Sequence, residues 1–146
     1  MLGVRNQYTR DYIDGCRSRV NEDLSAYRNL LTSARKNPAR NDGRLDSASE
    51  SFACIFFNNM VLVLDHFFVH RLRTVEGKDG NPLNGVRILS DSLMHHNGVM
   101  SADKSIKFSA ARSVLKYQVG DEIKLNEANF LRISKAFFSE IESRYL

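Results

Sequence analysis

Residues 52–72 read Phe-Ala-Cys-Ile-Phe-Phe-Asn-Asn-Met-Val-Leu-Val-Leu-Asp-His-Phe-Phe-Val-His-Arg-Leu, and no other stretch restricts the fold as much. Wound as a helix, this run is apolar over most of its circumference and has to be covered on several sides. A bilayer is one such cover. The run is interrupted, however, by Asn58, Asn59, Asp65, His66, His70 and Arg71, whereas a spanning helix holds about 20 consecutive, mostly apolar residues with very few ionisable groups. It therefore reads as the central helix of a soluble bundle, with no membrane partner. It opens near Ser47 or Ser49 and reaches about Val75 before Gly77-Lys78-Asp79-Gly80 ends it.

The remaining segments supply its cover. Ile13, Cys16, Val20, Leu24, Tyr27, Leu31 and Ala34 recur at steps of three and four, which predicts a long amphipathic helix over residues 8–36. Asn37-Pro38 stops it, because the residue before proline is pushed out of the helical region. Residues 37–46 are then a linker. Asn81-Pro82 reads as an N-cap and first-turn proline, so a third helix starts there and reaches about His96, with Leu83, Val86, Leu89 and Leu93 inward. Asn126 caps a last helix with Glu127 in its first turn and Phe130, Ile133, Phe137, Ile141 and Tyr145 as its stripe. Between these two helices the helical period fails. Leu115, Tyr117 and Val119, then Ile123 and Leu125, alternate around Gly120-Asp121, which predicts a short β-hairpin, with a further strand over 106–108. A helical turn within 109–117 fits the same residues.

The expected fold class is therefore all-α: one domain over residues 1–146, a four-helix bundle with a ribbon or loop insertion at 99–125 before the last helix. Phe56, Met60, Leu64, Phe67, Phe130, Phe137 and Ile141 are its expected core. The length of 146 residues and a composition of 42% hydrophobic and 26% charged residues suit one self-sufficient core. They exclude a collagen, a disordered tail and a disulfide-stapled miniprotein.

Chemistry is harder to read. On the central helix Asn58, Asn59, Asp65, His66, His70 and Arg73 fall within a sector of about 140°. This polar stripe has three readings: a solvated face, a metal or small-ligand site built on the His66 and His70 pair, or the seam of a symmetric dimer. The pair lacks the Glu of His-Glu-x-x-His, and no cofactor is identified. Arg28, Arg35, Lys36, Arg40 and Arg44 set five basic residues against Asp42 across residues 28–44. They concentrate the chain's surplus charge, a formal +4, at one end. That cluster is the candidate contact for nucleic acid phosphates, although no interleaved exposed aromatics accompany it. Cys16 and Cys54 form no Cys-x-x-Cys pair and read as buried thiols of a cytoplasmic protein. Residues 76–84 are rich in turn formers but match neither a phosphate loop nor a calcium loop.

No serine-nucleophile motif is present. In size and helix content the chain resembles the all-helical ribonuclease-type domains of the HEPN superfamily, whose pattern is an Arg followed at short range by a His. Arg87 and His95, the nearest such pair, are spaced too widely for it, so no catalytic residue carries over. The expected function is a non-enzymatic interaction module that self-associates as a homodimer. Its motive is nine Phe and five Tyr in a small bundle, more apolar stripe than one set of four helices hides. Nucleic-acid association and RNA processing through the basic end form the alternative.

Overall fold

The computed structural model describes residues 7–36, 43–69, 81–102 and 109–146. These form four α-helices: α1 (Arg10–Arg35), α2 (Arg44–Phe67), α3 (Pro82–His95) and α4 (Glu127–Tyr145), with a single 3-10 turn at Ala110–Arg112. The all-α class holds. Helices α2, α3 and α4 pack most closely on one another, and α1 lies against α2 and α4.

Three of the four helices start at a side-chain cap. The Thr9 hydroxyl accepts from Tyr12 N, Asn81 Oδ1 accepts from Leu83 N with Pro82 following, and Asn126 forms a reciprocal capping box with Asn129. Helix α2 differs, because Gly43 at its N-cap takes φ +87°, a left-handed conformation that glycine adopts without a steric penalty. With that entry the helix begins at Arg44, before Ser47. Ile13, Cys16, Val20, Leu24 and Tyr27 of α1 and Phe130, Ile133, Phe137, Ile141 and Tyr145 of α4 are all buried, as their spacing requires.

Helix α2 stops at Phe67, well short of Val75. Phe68 leaves the helix at φ −125°, ψ 35°, and its ring is wholly buried among Tyr8, Tyr12, Phe137 and Phe138. Tyr12 of α1 donates its hydroxyl to the Phe67 carbonyl, one of the acceptors a helix end leaves without an internal partner. Burial of one aromatic ring and a cap from a neighbouring helix end α2, and neither is visible as a local signal. The expected glycine-rich stop at 77–80 lies outside the described residues, as does the strand expected over 106–108.

The hairpin does not form among the described residues. The turn is there, with Asp121 N donating to the Gln118 carbonyl and Asp121 Oδ2 accepting from Gln118 N. Its two flanks do not ladder with each other. Instead Met100 N donates to Asp121 O, Gly120 N to Met100 O and Ile123 N to Gly98 O, leaving an isolated bridge between Val99 and Glu122. Asn58 takes the next backbone groups: its Nδ2 donates to Ile123 O at 2.9 Å and its Oδ1 accepts from Leu125 N at 3.2 Å. Ile123 and Leu125 are thereby held inward as an extended segment under α2. Their alternation reflects that burial rather than a hairpin leg. At 109–117 the helical alternative prevails, as the turn Ala110–Arg112.

The core reading is right for Met60, Leu64, Phe130, Phe137 and Ile141. It misses by one residue twice: Phe56 and Phe67 are half-buried at the edge, and their neighbours Phe57 and Phe68 are enclosed. Apolar residues line most of this helix's circumference, so spacing alone does not separate neighbours such as Phe56 and Phe57.

Candidate functional site

Helix α2 packs against α1, α3 and α4. Its inner face, Phe57, Met60, Val61 and Leu64, is buried. The opposite face carries Phe52, Ile55, Asn59, Leu62 and His66, which recur at steps of three, four, three and four. Ile55 is 60% exposed and Phe52 40%, Asn59 and His66 are exposed, and Leu62 is half-buried. No Lys, Arg, Asp or Glu occupies this row between Phe52 and Leu62. At its C-terminal end the row deepens into a cleft of about 400 Å³ bordered by Leu62, Val63, His66, Val69 and, from α3, Ser90 and Met94. Met94 is 61% exposed.

Among the described residues α2 is the one helix long and apolar enough to cross a membrane, by length and composition alone. Only 22% of its most apolar window is buried in this fold. The enclosed helix expected from the sequence is therefore only partly enclosed.

The polar stripe divides. Asn58 points inward and clamps residues 123 and 125, so its role is structural. Asn59 and His66 face outward, and Asp65 is half-buried beside them. His70 and Arg73 lie outside the described residues. No group of three or more His, Cys, Asp and Glu gathers among the described residues, so His66 has no assembled ligand set within them.

The basic positions come together only in part. Arg35 and Lys36 stand exposed where α1 ends, and Arg44 opens α2. Arg28 is directed to α4, its Nε donating to Glu127 Oε1 at 2.6 Å. Arg40 lies outside the described residues. His95 sits in the last turn of α3 and His96 at its cap, with His96 Nε2 3.5 Å from Asp91 Oδ2. Both positions favour a cation at the carbonyl end of a helix.

Two further concavities lie elsewhere in the bundle. A groove of about 430 Å³ between α1 and α4 has Val20, Leu24 and Phe138 among its lining. Glu142 at this groove takes hydrogen bonds from both Arg10 and Arg17, and these hold its carboxyl below the ordinary carboxylate range. A cavity of about 10 Å³ bordered by Asn81, Gly85, Met100 and Tyr117 has room for about one water. The Cys16 thiol is buried, and that burial pushes its pKa up. Cys54 is only half-buried, short of the enclosure its apolar neighbours suggest.

Reasoning from the sequence found Asn59 and His66 but not the residues between them. Phe52, Ile55 and Leu62 have a signal in their spacing, masked because apolar residues occupy most of this helix's circumference. No protein family, curated protein or solved structure matches the chain, so the outward row of α2 carries the functional argument by its own chemistry.

Proposed function

We propose that the chain is a non-enzymatic interaction module that self-associates as a two-fold dimer through the outward face of α2. The observation that carries this reading is the row of exposed Phe52 and Ile55 and half-buried Leu62, free of charge, continued by Val63 and exposed Met94 in a cleft that Asp65 and His66 also border. Fully burying one such side chain contributes about 1.5–3 kcal/mol. Two copies of the row bring several of them together, enough to oppose an association cost of roughly 4–15 kcal/mol. A second copy suits the face better than a highly charged partner, because between Phe52 and Leu62 the row carries no ionic group. A bilayer suits it less. Spanning with α2 packed as it is would carry the charged exteriors of α1 and α4 into hydrocarbon, which is strongly unfavourable.

The basic end gives less support to the nucleic-acid alternative, since Arg28 is already paired with Glu127. Light scattering coupled to size exclusion tests the dimer. The expected mass is about 33 kDa, twice 16.7 kDa. Ile55→Asp should return it to a monomer with an unchanged helical circular dichroism spectrum. A wild-type monomer throughout the micromolar range would sink the proposal, and vesicle binding by that monomer would assign the face to lipid instead.

A further inference from the structure

We infer that the small cavity at the start of α3 is a binding site for one buried water, held between Asn81 Nδ2 and Ser113 Oγ. The inference is independent of the dimer proposed above.

Asn81 caps α3 through its side-chain oxygen, which accepts from Leu83 N at 2.8 Å. That bond fixes the amide, because the opposite orientation would set Nδ2 against the Leu83 N–H, donor to donor. Nδ2 is therefore committed to the other side. There it is buried, on a residue only 6% exposed, and has no hydrogen-bond partner among the described residues. A buried donor without an acceptor carries its full desolvation penalty, so native folds rarely keep one.

The cavity that Asn81 borders measures about 10 Å³, close to the smallest volume that admits a water and too small for a larger acceptor. Pro82, Gly85, Leu89, Met100 and Ile133 give it largely apolar walls. A wholly apolar cavity stays dry, since a buried water needs two to four polar partners. Ser113, which borders the same cavity and is 7% exposed, supplies the second. Its Oγ donates to the Ala110 carbonyl at 2.9 Å and accepts from Lys116 N at 2.9 Å. One lone pair of the hydroxyl is left for a water proton. The water accepts from Asn81 and donates to Ser113, and so ties the cap of α3 to residues 113–117, which also border the cavity.

A crystal structure that resolves ordered waters tests the contact directly. One water should lie roughly 2.7–3.2 Å from Asn81 Nδ2. An empty cavity, or a protein acceptor on Nδ2, would overturn the site. In solution, magnetic relaxation dispersion of the water oxygen counts waters held inside a protein, free of interference from exchanging hydroxyl protons. Gly85→Ala is the matched variant: a Cβ there meets Ile133 Cδ1 at 3.9 Å, an ordinary contact, so a methyl fits in the space that both residues border. It should keep the helical circular dichroism spectrum and lower the dispersion amplitude by the equivalent of one water per chain. An unchanged amplitude would overturn the site. Should the added methyl disturb folding, the wild-type protein gives a separate reading, cross-relaxation between water and the Gly85 Hα protons with the sign of a long-lived contact. Its absence would likewise overturn the proposal.

Discussion

The two faces of α2 are built from the same kinds of residue and meet opposite fates. Phe57, Val61 and Leu64 are fully enclosed, whereas Phe52 and Ile55 are 40% and 60% exposed. Even the paired asparagines divide, with Asn58 bound to the backbone at 123 and 125 and Asn59 turned outward. The difference is one of neighbours, not of hydrophobicity. Helices α1, α3 and α4 and the extended segment beneath α2 claim the enclosed side, and nothing among the described residues encloses the other. An apolar helix in a small bundle can therefore be enclosed on one side and left exposed on the other, because burial is assigned by what packs against it.

The comparison is broken most directly by truncating both faces. Phe57→Ala should lower the unfolding free energy by about 3–5 kcal/mol, since it removes a large enclosed ring and leaves a cavity. Ile55→Ala, measured by urea denaturation at concentrations too low for association, should stay within about 0.5 kcal/mol of wild type. Equal losses at the two positions would mean that the faces do not differ. The asparagines repeat the contrast on a smaller scale. Asn58→Ala should cost about 1–3 kcal/mol by orphaning the Ile123 carbonyl and the Leu125 amide. Faster hydrogen exchange at Leu125 is the local readout, and Asn59→Ala should leave that amide's protection unchanged.

Glu142 supplies the smallest effect, from a partly exposed carboxylate with two partners. Hydrogen bonds from Arg10 and Arg17 lower its pKa from the ordinary 4.5. A carboxylate whose folded pKa is depressed contributes stability that is present above its unfolded value. That contribution is lost as pH falls from about 4.5 through the lower folded value. Glu142→Gln should therefore destabilise by at most about 1 kcal/mol at neutral pH and flatten the decline of stability below that range. An unaltered acid profile would show that the link from α1 to α4 does not contribute.

Legibility followed how local each cause was. Asn81-Pro82 and Asn126 mark helix starts because a cap acts on amides within three positions of itself. The stripes of α1 and α4 were equally plain, since each contrasts with a polar back. The expected hairpin does not form because the alternation of Ile123 and Leu125 records only that both point inward. Which backbone groups answer theirs is settled by Asn58 and Gly98, distant in the chain. The site was half legible for a similar reason: Asn59 and His66 stand out as polar, but Phe52, Ile55 and Leu62 resemble every other apolar residue of α2.

By itself the sequence determined the helical class, most of the helix starts and the inner faces of α1 and α4, because periodicity and capping act over a few residues of contiguous chain. Tertiary structure alone decided where α2 ends, through the burial of Phe68 and the hydroxyl of Tyr12, and which way α2 is rotated. A helix apolar over most of its circumference gains nearly as much from burying one apolar face as another. Its phase is therefore set by the shapes and polar groups of the elements that reach it, Asn58 with residues 123 and 125 foremost among them, and the face left over stays exposed.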